Sequence, residues 1–278
     1  MSTPCCCVAG KRRRLCSAGC CHQGGAVLSL CIMQGMITSM DIVSTWRHWL
    51  FPASCVFCHR TLAAANHACC GDCLADIHPW PVHHCYRCGK VLPASLSPGP
   101  CGACLHKPPA YLSSTALYQY RGAVRQAILQ WKRAGNDAAF RWLLTTADHV
   151  LRDCFHPDDL LLPIPMPLSR MRVSGMHHSA DCCRLLAERY GCQWQWQLLR
   201  RQGTQLRQSS LRAAQRQRNM RKAFTINHDY LPAAGLFRRV WLIDDIITTG
   251  ATMHYAARCL QRQGVACHAW ALSHTPLD

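Results

Sequence analysis

The stretch "VWLIDDIITTGAT" (240–252) places two adjacent carboxylates, Asp244 and Asp245, between an apolar run and a bend built from Thr248, Thr249, Gly250, Ala251 and Thr252. Neighbouring acids repel, so the pair needs a reason. A strand ending at Ile243 would deliver both to the rim of a sheet, where ligands of open α/β sheets bind. The small residues that follow leave backbone N–H groups bare. Gly250 lets the chain curl, and a helix starting there adds the positive end of its dipole. Such a bend cradles a phosphate, and two carboxylates beside it can accept hydrogen bonds from neighbouring sugar hydroxyls. If these residues served only to cap a helix, one acid or hydroxyl would suffice, and here there are two acids and three threonines.

A second set of candidate ligands lies upstream. Between 55 and 104 the chain reads "CVFC", "CGDC", "CYRC" and "CGAC", which supplies Cys55, Cys58, Cys70, Cys73, Cys85, Cys88, Cys101 and Cys104. Two residues between cysteines let both thiolates face one tetrahedral ion, while amides of the turn point at the sulfurs. Eight sulfurs suffice for two closed zinc sites, although the spacing leaves sequential and interleaved pairing both open. A closed site stabilises a fold rather than performing chemistry, and this apolar-poor region would depend on its metal to fold. Cys69 and the histidines at 59, 67, 83 and 84 are substitutes that the spacing does not require.

These groups need a scaffold, and the rest of the chain predicts one. Helical spacing covers 124–133 and 140–154, while 159–167 reads as a short apolar strand running into a proline-punctuated loop. A helix is expected over 179–191 with Ser179 as N-cap and Gly191 as its stop. Strands are expected at 192–199, 240–243 and 265–272, with a helix over 251–264. Alternating strands and helices predict an α/β fold: a mostly parallel sheet flanked by helices, preceded by the Cys-rich module. The expected division is 40–110 for that module and 111–278 for the α/β domain.

The chain has 22 cysteines, and CxxC pairing of eight of them favours metal over disulfides, hence a reducing, cytoplasmic setting. No uninterrupted apolar run reaches the roughly 18 residues of a membrane span. "KRRR" (11–14) and "AVLSLCIM" (26–33) follow the order of a signal peptide, but the apolar part is short and lacks a small-x-small site. Residues 1–39 are therefore expected to be unstructured or outside the native coding sequence, with Met40 as the start. A net charge of +17 points to an anionic partner. Eight Lys or Arg between 200 and 222, with no acid between Glu188 and Asp229, read either as a strip that tracks single-stranded DNA or as a solvated face. Trp80 and Tyr86 are candidate stacking residues for such a strand.

All thirteen positions of 240–252 resemble the phosphoribosyl-pyrophosphate signature of type I phosphoribosyltransferases. Cysteine knuckles, a "KPP" linker and this domain, in that order, resemble the ComF family of competence proteins, including its GntX DNA-utilization branch. "YQYRG…LQWK" is similar to a family segment whose lysine falls at Lys132. The run Gln208…Leu211…Arg216…Asn219…Phe224 follows another family pattern. One block departs: where the family carries Arg-Gly-Phe-Asn-Gln, this chain has Ser174-Gly175-Met176-His177-His178. That removes a cation from the region which the resemblance assigns to pyrophosphate, although Arg170 and Arg172 lie in the same loop.

The resemblance implies a type I phosphoribosyltransferase-like domain behind a double zinc ribbon. It implies binding of 5-phosphoribosyl pyrophosphate with magnesium, the ribose held by Asp244 and Asp245 as catalytic residues and the phosphate by Thr248 to Thr252. It further implies a role in DNA uptake or use of imported DNA, with single-stranded DNA and uptake proteins as partners. Two alternatives stand beside turnover: an adaptor or single-strand-binding protein whose nucleotide site senses a metabolite, and a basic zinc module with a vestigial second domain.

Overall fold

Along the central strands, successive side chains turn to opposite sides of one sheet. Leu160, Leu162, Val240, Leu242, Ala269 and Ala271 pack on one face, and Leu161, Trp241, Ile243, Trp270 and Leu272 on the other. Both sets are buried, as a parallel sheet covered on two sides requires. The computed structural model describes residues 52–62, 67–97, 99–167, 171–173, 175–202 and 223–276. The expectations for 1–39, Met40, Arg170, Ser174 and the basic run from 203 to 222, including Gln208, Leu211, Arg216 and Asn219, lie outside them.

In chain order the elements are α1 (Gly71–Ala75), α2 (Gly102–His106), β1 (Ser114–Gln119), α3 (Gly122–Ala134), α4 (Ala138–Thr146), α5 (Asp148–Cys154), β2 (Asp159–Pro163), α6 (His178–Tyr190), β3 (Gln193–Trp194), β4 (Leu199–Arg201), β5 (Phe224–Ile226), β6 (Arg239–Ile247), α7 (Ala251–Gln261) and β7 (His268–His274). Among the described residues the main sheet is β1-β7-β6-β2-β3, parallel throughout, while β4 and β5 form a separate antiparallel pair. One face carries buried residues of α3 to α6, among them Trp131, Phe140, Leu143 and Leu186. The opposite face carries α7, through Met253, Ala256 and Leu260, and the β4–β5 pair. No helix among the described residues is long and apolar enough to cross a membrane.

Several local expectations change for physical reasons. The helix expected over 140–154 is two helices that meet at Ala147. Just before the break, the Thr145 and Thr146 hydroxyls donate to the Arg141 and Trp142 carbonyls, a back-bonding that bends helices. Ser179 is not the N-cap of α6; His177 is, and its Nδ1 accepts from the Ala180 N–H at 3.1 Å. Gly191 does stop that helix, at φ 72. The alternating run 192–199 pairs only at Gln193–Trp194, and Leu199 then begins β4. β2 stops at Pro163 rather than 167, and β6 does not end at Ile243 but continues to Ile247.

The Cys-rich module belongs to the same compact unit as the sheet, Trp46–Asp278. Its segment 78–80 covers the open edge of β1. The Trp80 N–H donates to Leu117 O and the Gln119 N–H to His78 O, both at 2.8 Å, around an antiparallel bridge between Pro79 and Tyr118. An exposed strand edge is a template for aggregation, and here the module closes it. Phe57, fully buried, meets Trp142 edge-on at 5.5 Å, while Gln130 Nε2 donates to Phe57 O at 2.6 Å.

Candidate functional site

The extension of β6 past its neighbour creates the site. β2 pairs with β6 only as far as Pro163 opposite Ile243, and the Ile164 N–H closes that side by donating to Ile243 O at 2.9 Å. Beyond this point β6 keeps, among the described residues, only β7, with Asp244 opposite Ala271 and Ile247 opposite His274. Asp244 and Asp245 thus sit at the carboxyl edge of the sheet, just past the end of β2.

Each acid is held by a different helix. Asp245 is 5% exposed and forms an ion pair with Lys132 Nζ from α3. Asp244 is half-buried, and its Oδ1 accepts from Ser179 Oγ at 2.8 Å and from the Asp245 N–H at 3.0 Å. Lys132 was visible in the sequence only through a family segment; Ser179 was read as a cap, and its hydroxyl instead serves the acid pair. Burial, reinforced by the charge of Asp245, pushes the Asp244 carboxyl up from its ordinary range; Ser179 and Lys132 oppose this without cancelling it. The native state therefore holds a proton on Asp244 over a pH interval in which the unfolded chain has released it. Stability contributed by that proton is present at low pH and is lost as pH rises from the ordinary carboxyl range through the raised value. Asp244→Asn should flatten this decline in a series of unfolding curves; an unchanged pH profile would remove the assignment.

His177 and His178 occupy the block where the family pattern is missing. His177 caps α6, and the Met166 N–H lies 3.3 Å from its Nε2, at the loop that follows β2. His178 is 5% exposed, with its ring against Trp131 at 4.8 Å. Burial pushes both imidazoles down, so they remain neutral and bring no replacement for the missing cation.

The threonine bend follows directly. Thr248, Thr249 and Ala251 are exposed, Thr252 is half-buried, and the Ala251 N–H lies 3.4 Å from Thr249 Oγ1. Gly250 is buried at φ 71 and is the N-cap of α7. A Cβ there would come within 2.8 Å of the Tyr111 hydroxyl oxygen, so both the left-handed backbone and Tyr111 demand glycine. Gly250→Ala should lower stability by about 1–2 kcal/mol in denaturant unfolding; an unchanged midpoint would show that the bend is not so constrained.

The eight knuckle cysteines form two clusters, Cys55/Cys58/Cys70/Cys73 and Cys85/Cys88/Cys101/Cys104, each with its sulfurs within 4.8 Å of one another. Pairing is therefore sequential, and Cys69 is outside the set. Backbone amides serve the sulfurs, with the Cys70 N–H 3.4 Å from Cys55 Sγ and the Cys101 N–H 3.2 Å from Cys85 Sγ. Burial works against ionisation of Cys55 and Cys85, but these and neighbouring amides outweigh it and pull the thiols down to about 6 and about 7. Four sulfurs at this spacing with amide support fit a structural zinc ion. The knuckles diverge in one respect. His59 and Gly89 occupy matching positions with positive φ, but at Gly89 a Cβ would meet His274 Nε2 at 2.8 Å.

Trp80 does not offer a stacking surface. It is 8% exposed and lies on His274 at 4.7 Å between ring centres, whereas Tyr86 remains exposed with Arg87 over its ring.

Residues 46–105 match the family model of the double zinc ribbon domain. The DNA utilization protein YhgH of Salmonella typhi is 31% identical over 230 residues, which covers 81% of this chain and 98% of that protein. Competence protein F of Haemophilus influenzae is 27% identical over 237 residues, covering 80% and 97%. Competence protein ComFC of Bacillus subtilis is 25% identical over 249 residues, covering 87% and 93%. With a double zinc ribbon closing the edge of a parallel sheet, and relatives matched along nearly their whole length, the chain belongs to the ComF family of competence and DNA utilization proteins.

Proposed function

We propose that the edge of β6 and the bend after it bind 5-phosphoribosyl pyrophosphate, and that the protein acts in the uptake or use of DNA. The observation that carries the reading is the Thr248–Thr252 bend at the start of α7, with Thr248, Thr249 and Ala251 exposed and with Asp244 and Asp245 on the strand that leads into it. The 5′-phosphate would take the bare N–H groups and hydroxyls of Thr248, Thr249, Gly250, Ala251 and Thr252, with the helix dipole behind them. Asp244 would receive the ribose hydroxyls. Asp245 would stay tied to Lys132, acting on the sugar through the strand that it anchors. Magnesium, when bound with the ligand, would offset charge on the pyrophosphate. The DNA-related role rests on the names of the relatives, DNA utilization and competence proteins.

The chemistry this site would support is phosphoribosyl transfer. The bond from C1 of ribose to the pyrophosphate oxygen breaks, pyrophosphate leaves with the electron pair, and an acceptor nitrogen bonds to C1. A second reading, binding without turnover, is favoured by Ser174 standing where the family pattern carries an arginine, with no cation supplied by the neutral His177 and His178 of the same block. Coupled detection of pyrophosphate release across the nucleobases separates the two. Release that depends on an acceptor and disappears in Gly250→Val supports transfer; saturable binding with no release supports the sensor.

A further inference from the structure

Outside this site, two arginines line a groove where the zinc module meets the α/β domain. The outward side of α3 lines an open cavity of about 550 Å³, shared with Asp76 at the end of α1. Arg125 and Arg133 point into it with Gln126 and Gln130, and Arg121 continues the row one turn back. All three arginines are exposed, and none has an acidic partner among the described residues. This sets them apart from Arg60, Arg141, Arg152, Arg184 and Arg189, each paired with a carboxylate. Asp76, the one acid among the described residues of the cavity, is itself engaged: it lies 3.6 Å from His78, and its carboxylate fills the space a side chain at Gly122 would need.

We propose that this groove binds the phosphodiester backbone of a DNA strand. Positions four apart on a helix are separated by about 6 Å along its axis, so Arg121, Arg125 and Arg133 stand one and two turns apart, a spacing that can follow successive phosphates. The glutamine amides between them can hydrogen-bond sugars or phosphates. Among the described residues no aromatic side chain lines the cavity, so these residues track the backbone and do not read bases by stacking. The inference rests on the DNA half of the function proposed above and is independent of the sugar-pyrophosphate half.

The test is fluorescence anisotropy of a labelled oligothymidylate and of a labelled duplex with the zinc-loaded full chain, over a range of salt. Three proteins are compared: wild type, Arg125→Gln/Arg133→Gln, and Arg141→Gln/Arg184→Gln, which removes equal charge from paired arginines. The groove variant should lose affinity at least about tenfold at low salt and flatten the logarithmic salt slope on single strands by about 1.4, for two lost phosphate contacts. The control variant should remain near wild type. No DNA binding by wild type, an unchanged groove variant, or an equal loss in the control would each overturn the groove. Because both arginines of the groove variant are exposed, its melting temperature should match wild type. Its affinity for 5-phosphoribosyl pyrophosphate should also match, so failure of the groove and failure of the sugar site are read separately.

Discussion

Stripping zinc from the purified protein should abolish the order of both cysteine clusters and release two zinc ions per chain. The second cluster brings four sulfurs together around little else: the buried side chains beside its ion site are its own cysteines, Cys85, Cys101 and Cys104, with Leu92 half-buried beside them, whereas Cys55, Phe57 and Cys73 of the first also join the main core. Without the ion, Cys73, Cys88 and Cys104 are pushed by burial toward the protonated thiol, the four sulfurs of each cluster lose their shared partner, and in the second ribbon no apolar core replaces the lost bonds. Structural zinc contributes about 10–16 kcal/mol in small zinc-finger peptides, comparable to the whole stability of a typical domain. The effect should spread to the sheet, because 78–80 closes β1 and Phe57 is buried against Trp142. Hydrogen exchange with and without a strong chelator should show lost protection first in the ribbons and then along β1, with aggregation as the edge opens. Full protection after zinc removal would show that packing alone holds the module.

The second large effect is expected from Lys132→Met. It leaves the Asp245 carboxylate, 5% exposed, without its counter-charge. Breaking a buried pair costs about 3–5 kcal/mol; because Lys132 is about a third exposed, solvent reduces this to roughly 2–3 kcal/mol. For a domain of this size that is a fall in Tm of roughly 4–12 °C. Lys132→Met/Asp245→Asn should recover most of the loss, since the neutral amide no longer needs a cation. Additive losses in the double variant would show that Lys132 acts through packing alone.

The architecture was legible where physics repeats along the chain. Apolar runs at 159–167 and 240–243 hold central strands, the first over only Asp159–Pro163, and helical spacing at 124–133 became α3. The CxxC repeat was equally open, because its ligands are close in sequence; only their partnering needed three dimensions. What could not be read depends on registers between distant segments. Ser179 fits an N-cap by local rules, but a histidine two residues earlier takes that role, freeing the hydroxyl for Asp244, 65 positions away. β6 runs on past Ile243 because β7 continues beside it after β2 has ended, a fact about neighbours and not about residues 240–247. Trp80 in a cysteine-rich loop looked like an exposed aromatic; its burial follows from the pairing of 78–80 with β1, which no local pattern announces.

The central claim is most directly tested by isothermal titration of the protein with 5-phosphoribosyl pyrophosphate and magnesium, set beside Asp244→Ala, which leaves the Lys132–Asp245 pair in place. The site predicts saturable binding of one ligand per chain, weakened at least about tenfold in the variant, for loss of two hydrogen bonds to a sugar. No saturable heat with the wild type, or equal affinity in both proteins, would contradict it.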